Sequence, residues 1–270
     1  MKNFNEIIAF AKERGPKTIS VACAQDKEVL LAVEAARKEG IAKAILVGDE
    51  VKIAEIAEEL NIALSDYEVI NEADLTNACL KAVELVSTGV ADIVMKGLVD
   101  TSIILKAVLN KEIGLRTGLP LSHVAVFKID GYERLFFVTD AAMTLSPDLM
   151  TKKQILENAV SLAHALDIEQ PKVAVLCAKE KTDEKMPCTI DAFKLEEMQK
   201  NGEIKGCLVG GPFALDNAVS EEAAKHKGMT HPIGGKADIL LVPNIESGNI
   251  LYKSLKRSIN TENKSLLLSG

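Results

Sequence analysis

The sequence predicts an α/β fold built as two units, and three observations carry that expectation. Short β-rich runs alternate with longer helical patterns along most of the chain, the order that calls for parallel strands with helices on both faces of the sheet. That rhythm is broken once, near the middle, by two adjacent strand-like runs. The length of 270 residues suffices for one large α/β domain or two smaller ones sharing a cleft.

Each element can be justified in order. TISVACA (18–24) is a β-rich run, followed by a helical stretch in which Val29, Leu30, Val33 and Ala36 recur at helical spacing and Gly40 supplies the stop. AKAILVG ends at Gly48 and precedes the helical VKIAEIAEEL; YEVI (67–70) leads into ADLTNACLKAVELVSTG, and ADIVM into KGLVDTS, with the next helix starting near Thr101 or Ser102. HVAVFKI and RLFFVTD, separated by DGYE, read as a hairpin, so a second domain begins near Leu121. A helix through TKKQILENAVSLAHALDI follows, then KVAVLCA, a helix from about 190 to 201, KGCLVGG, a helix from about 215 to 225, and ADILLVP. The expected division is 1–120 and 121–249, with 250–270 a candidate to complete the first domain.

Composition excludes several classes. A net charge of −7 speaks against a nucleic-acid or anionic-membrane surface. Five cysteines without a CxxC pair fit reduced thiols in a cytoplasmic protein. The N-terminal stretch is amphipathic and acidic, unlike a signal peptide, and no run reaches the length of a membrane span. His226 and His231 lie apart from any zinc pattern, and GxGxxG, GxxxxGK[ST] and GxSxG are all missing.

Ligands of open α/β sheets bind at the carboxyl ends of strands, which directs attention to the loops after Met95, Thr139, Cys177, Gly210 and Pro243. Lys96 and Gly97 end one strand before a helix whose N-terminus could receive an anion; the alternative is that Lys96 reaches into solvent and Asp100 or Thr101 caps the helix. Arg116 offers a two-pronged grip on phosphate and Ser122 a hydroxyl, although Arg116 also reads as a surface residue and His123 as a structural histidine. Asp140 lies just past a strand, while Asp148 reads as a helix start. Gly211 joins a strand to a helix whose first turn holds Asp216 and Asn217, and capping is the plain alternative for both. Glu246 and Ser247 read as caps, leaving Asn244, Gly248 and Asn249 to face a cleft or water.

The segments VMKGLVDTSIILKAVLNKEIGLRTG, LSHVAVF, FVTDAAM, KMPCTIDAFKL, GPFALDNAVSEEAAKHKG and ADILLVPNIESGNILYKSL resemble the phosphotransacylases, and the likeness runs from about Thr18 to Leu255. It implies two α/β domains around a cleft, of the isocitrate/isopropylmalate dehydrogenase kind, in a cytoplasmic homo-oligomer. The implied reaction exchanges phosphate and coenzyme A on a short acyl group: butyryl-CoA plus phosphate gives butyryl phosphate plus coenzyme A. Coenzyme A is then a substrate, with no tightly bound cofactor, no metal and no acyl-enzyme. Asp140 or Asp216 would assist ionisation of a thiol whose ordinary pKa is about 8.5. Lys96 and Arg116 would stabilise developing negative charge, with Gly97, Ser122, His123, Gly211, Asn217, Asn244 and Asn249 lining the substrates.

The departure lies at the end, where the chain reads KRSINTENKSLLLSG in place of the family's glycine-rich turn, apolar strand and Ser-Arg-Ala-Asp stretch. A second reading follows: a C-terminally truncated, catalytically impaired homologue that retains coenzyme A or phosphate binding. Loss of a strand would also leave backbone groups unpaired at a sheet edge.

Overall fold

The computed structural model describes residues 3–129, 132, 134–258 and 261–269, with side chains described through Arg257. The chain divides into two compact units, residues 7–117 and residues 1–6 with 118–270. The described residues from Ile250 onward therefore group with the second unit.

After helix α1 (Phe4–Glu13), the first unit runs β1 (Lys17–Ala22), α2 (Lys27–Lys38), β2 (Ala42–Gly48), α3 (Glu50–Glu59), β3 (Glu68–Asn71), α4 (Leu75–Ser87), β4 (Ile93–Lys96) and α5 (Thr101–Val108). All strand pairs are parallel, in the order β3-β2-β1-β4. Alternation along the strands gives the sheet two apolar faces. Ala22, Ile45 and Val47 enter the core beneath α4 and α5, while Val21, Ala44 and Leu46 enter the core with Leu30, Val33 and Ile53. Burying a Leu or Val side chain is worth roughly 1.5–3 kcal/mol, so a helix layer on each face follows directly.

Three helices here begin in the same way. Asp26, Asp49 and Asp74 accept hydrogen bonds from the backbone N–H of Val29, Lys52 and Asn77, answering an amide that the helix itself leaves without a partner. Asp100 occupies the corresponding position before α5, but its carboxylate makes no capping bond.

The second unit contains β5 (Leu121–Ile129), β6 (Phe136–Thr139), α6 (Leu149–Ala165), β7 (Lys172–Leu176), α7 (Pro187–Lys200), β8 (Leu208–Phe213), α8 (Leu215–Val219), α9 (Glu221–His226), β9 (Ile239–Leu241), α10 (Ile245–Ser258) and β10 (Thr261–Ser269). Its sheet has the order β10-β5-β6-β9-β7-β8. β6, β9, β7 and β8 are parallel, and β5 runs antiparallel to β6, as a hairpin requires. Of the DGYE turn, residues 130, 131 and 133 lie outside the described residues. Phe127, Phe136, Val138 and Leu240 form the core face against which Leu251, Tyr252 and Leu255 of α10 pack.

Four local expectations are corrected. α7 starts at Pro187, not near 190, because proline suits the first helical turn. The helix expected over 215–225 is broken at Ser220, whose hydroxyl accepts the Ala223 N–H and starts α9. α10 is capped by Asn244, which accepts the Ser247 N–H at 3.0 Å, rather than by Glu246 or Ser247. The outer edge of β5 is also covered: β10 pairs with it antiparallel from Thr261 opposite Ile129 to Ser269 opposite Leu121.

Candidate active site

In the first unit, Lys96 is the last residue of β4 and is exposed; among the described residues its ammonium makes one hydrogen bond, to the Gly97 carbonyl at 3.3 Å. The N-terminus of α5 begins five residues on, with Thr101 and Ser102 exposed and no carboxylate cap in place. A cation beside an uncapped helix N-terminus is a workable anion site. Gly97 serves a different purpose from the one expected. A Cβ there would lie 2.1 Å from the Cys23 carbonyl oxygen and 2.5 Å from that of Ala22, and its N–H already donates to Ala22 at 2.8 Å. The glycine lets β4 leave the sheet across the end of β1.

Arg116 stands apart from Lys96. The Leu115 N–H bonds the Val108 carbonyl, the last residue of α5, so Arg116 follows the far end of a helix about 12 Å long at 1.5 Å per residue. Its side chain is exposed, with no ion-pair partner among the described residues.

In the second unit, one group gathers where β5 begins and β6 and β9 end. Asp140 follows β6 and is 3% exposed. Its Oδ1 accepts the N–H groups of Ala142 and Met143 at 3.0 Å and His123 at 3.3 Å, and its Oδ2 accepts that of Thr144 at 3.0 Å. The backbone engages both oxygens, Oδ1 three times and Oδ2 once, so Asp140 organises the loop that follows β6. The loop in turn supports α10. The Asn249 amide donates to the Ala141 carbonyl at 3.2 Å, and a Cβ on Gly248 would meet the Asp140 carbonyl oxygen at 2.8 Å.

The remaining residues of this group are partly committed to the fold. Ser122 is fully buried and its hydroxyl accepts the Asn158 amide of α6 at 2.9 Å, so it is corrected from substrate ligand to strand-to-helix tie. His123 packs edge-on against Tyr252 with ring centroids 5.3 Å apart, and its Nδ1 is buried without a partner. Burial pushes the imidazole below its usual value, and the nearby Asp140 carboxylate opposes that shift. Asn244 is engaged as the cap of α10.

A second group sits on the same sheet edge, past β7 and β8. Asp216 Oδ2 lies 3.3 Å from the Lys227 ammonium, which also reaches Glu180 Oε1 at 2.7 Å; the Asn217 amide donates to that same oxygen at 2.5 Å. The Asp216 side chain is 54% exposed, whereas Asn217 is fully buried with its Oδ1 unpartnered. The Lys227 hydrogen bond holds the Glu180 carboxyl below its usual range, and Glu180 raises Lys227 in return. Glu180, Lys227 and Met229 line a cavity of about 540 Å³. Gly211 is not part of it: it lies inside β8 against Val175 and Ala192, with its N–H on Glu196 at 3.0 Å.

Glu180 and Lys227 were missed from the sequence. They stand 47 residues apart, and only the return of the chain after α9 joins them. Among the described residues no cluster of His, Cys, Asp and Glu could hold a metal ion.

Comparison with known proteins places this arrangement. A family profile described as "Phosphate acetyl/butaryl transferase" matches residues 3–78 and 72–267. The chain belongs to the phosphate acetyl/butyryl transferase family. A phosphate butyryltransferase of Clostridium acetobutylicum is 53% identical over 99% of this chain and 89% of its own length. A phosphate acetyltransferase of Thermotoga maritima is 41% identical over 98% of this chain and 90% of its own. Among solved structures, a branched-chain phosphotransacylase from Enterococcus faecalis superposes with a TM-score of 0.82 at 34% identity, covering 93% of this chain and 88% of that one. The two-sheet α/β fold is thus the family's, and the reading as a truncated, impaired homologue gains no support from matches of this extent.

Proposed function

We propose that this protein transfers a short acyl group between coenzyme A and phosphate, butyryl-CoA plus phosphate giving butyryl phosphate plus coenzyme A. The observation that carries the reading is the 53% identity, over 99% of the chain, to a protein named phosphate butyryltransferase. The isocitrate/isopropylmalate dehydrogenase-like arrangement, assembly as a homo-oligomer and residence in the cytoplasm belong to the same proposal. For its part, the structure contains no described helix long and apolar enough to cross a membrane.

Transfer is direct in this reading. In the direction of coenzyme A acylation, the thiol loses its proton, the thiolate attacks the acyl-phosphate carbonyl, and phosphate leaves with the electrons of the broken C–O bond. Either carboxylate takes that proton in this reading: Asp140 is engaged by backbone N–H groups, and Asp216, whose side chain is the more open to solvent, accepts the Asn217 N–H at 2.9 Å and lies 3.3 Å from the Lys227 ammonium. Lys96 and the uncapped start of α5 are suited to the phosphate oxygens. Arg116, His123, Asn217, Asn244 and Asn249 belong to the proposal as neighbours of the substrates, not as proton carriers.

The test is release of free thiol from butyryl-CoA by the purified, folded full chain. Release that depends on added phosphate is expected; a folded chain without that dependence would overturn the reading.

A further inference from the structure

Lys227 stands where three segments of the second unit meet. It closes α9, its N–H donating to the Ala223 carbonyl at 3.1 Å. Its ammonium reaches Glu180 Oε1 at 2.7 Å, on the loop between β7 and α7, and Asp216 Oδ2 at 3.3 Å, in the first turn of α8. The loop side of this junction is fixed a second time, because the amide of the fully buried Asn217 donates to the same Glu180 oxygen at 2.5 Å.

Asp216 is oriented from both sides. Oδ1 accepts the Asn217 N–H at 2.9 Å within its own helix, and Oδ2 faces Lys227. A carboxylate has about four lone-pair sites, so these two contacts leave it able to accept a proton. Without the ammonium, Glu180 and Asp216 would be left as neighbouring like charges, which repel, and Asp216 would swing away. The ion pairs are poor devices for stability. The Lys227 side chain is 43% exposed and that of Asp216 54%, and exposed pairs add little to folding. What Lys227 supplies is geometry: it lines the cavity of about 540 Å³ together with Glu180, and it keeps one carboxylate at the edge of that cavity.

We propose that Lys227 is a positioning residue for acyl transfer: anchored on Glu180, it holds the Asp216 carboxylate where the thiol of coenzyme A gives up its proton. The proposal rests on the acyl-transfer reading and, within it, on Asp216 rather than Asp140 as the acceptor. The proton passes from sulfur to an Asp216 oxygen and from there to solvent. Lys227 touches no reacting atom and keeps its charge throughout, Glu180 holding it protonated.

The experiment measures phosphate-dependent thiol release from butyryl-CoA, with urea midpoints, for the full chain, Lys227→Met, Lys227→Arg, Asp216→Asn and the double variant of Lys227→Met with Asp216→Asn. Lys227→Met should lower kcat by about 10²-fold, the scale of misplacing a reacting group by about 1 Å, with KM for butyryl-CoA and for phosphate unchanged. Lys227→Arg should recover most of that loss. In the Asp216→Asn background, removing Lys227 should cost nothing further, since residues that act as a unit are not additive. All midpoints should stay within error of one another. The positioning role is overturned if Lys227→Met keeps its kcat, if KM rises instead, if the two single losses multiply in the double variant, or if a lowered midpoint accompanies the lost kcat. A folded wild-type chain without phosphate-dependent release would overturn the acyl-transfer reading and this proposal with it, whereas an active wild type with any of the other outcomes would overturn the positioning role alone.

Discussion

Four backbone N–H groups converge on the Asp140 carboxylate, and that convergence decides what its replacement does. Removing an acceptor leaves buried donors unsatisfied at roughly 1–3 kcal/mol each, so Asp140→Ala should lose about 3 kcal/mol or more of folding stability, read as a lower urea midpoint. Full stability with activity alone abolished would return Asp140 to the chemistry. Lys96 behaves oppositely: it is exposed, and its one hydrogen bond among the described residues is to the neighbouring Gly97 carbonyl. Lys96→Ala should keep the midpoint and lower kcat/KM by about 10²-fold, the scale of losing one charge-stabilising donor. The sequence showed both residues at strand ends and could not separate them, because the difference lies in partners. Three of Asp140's donors are near in the chain, but the loop that folds them inward is not readable from residue type.

An aspartate before an apolar-periodic run starts a helix for a local reason, and Asp148, read so from the sequence, caps α6 by accepting the Thr151 N–H. Asp26→Ala and Asp74→Ala should each cost about 1 kcal/mol, while Asp100→Ala, which removes no capping bond, should stay within about 0.5 kcal/mol. Equal losses at all three would show that Asp100 caps α5 after all and would remove the uncapped terminus proposed to face phosphate. Where the reading slipped, a neighbour competed with the pattern: Ser220 interrupts an otherwise continuous helical period, and Asn244, itself a favoured capping residue, stands just before the two polar residues taken as caps. Gly97 was assigned to a ligand because glycine permits close approach, and Gly211 because it was read as a strand-to-helix join; both approach the chain itself, which only the packed neighbours reveal.

At the scale of the whole molecule, acid stability reports on the first unit. Hydrogen bonds from Arg37 and then Tyr67 lower the Glu34 carboxyl to about 2. A carboxylate depressed on folding contributes stability above its unfolded value, near 4.3, and loses it as pH falls toward the folded value. Stability should therefore fall between pH of about 4.5 and about 2, and Glu34→Gln should flatten that part of the curve; an unchanged acid limb would contradict the network. The α/β class and the succession of elements along the chain were visible because alternation is a property of neighbours, whereas the order of strands within each sheet was not. The junction of Asp216, Asn217, Glu180 and Lys227 was not, since it depends on β7 and β8 lying side by side.

Transfer of the acyl group to phosphate, rather than to water, is most directly tested by following labelled inorganic phosphate with butyryl-CoA and the folded full chain. Label should appear in butyryl phosphate in step with free coenzyme A, one for one. Free coenzyme A accumulating without labelled acyl phosphate would contradict the account.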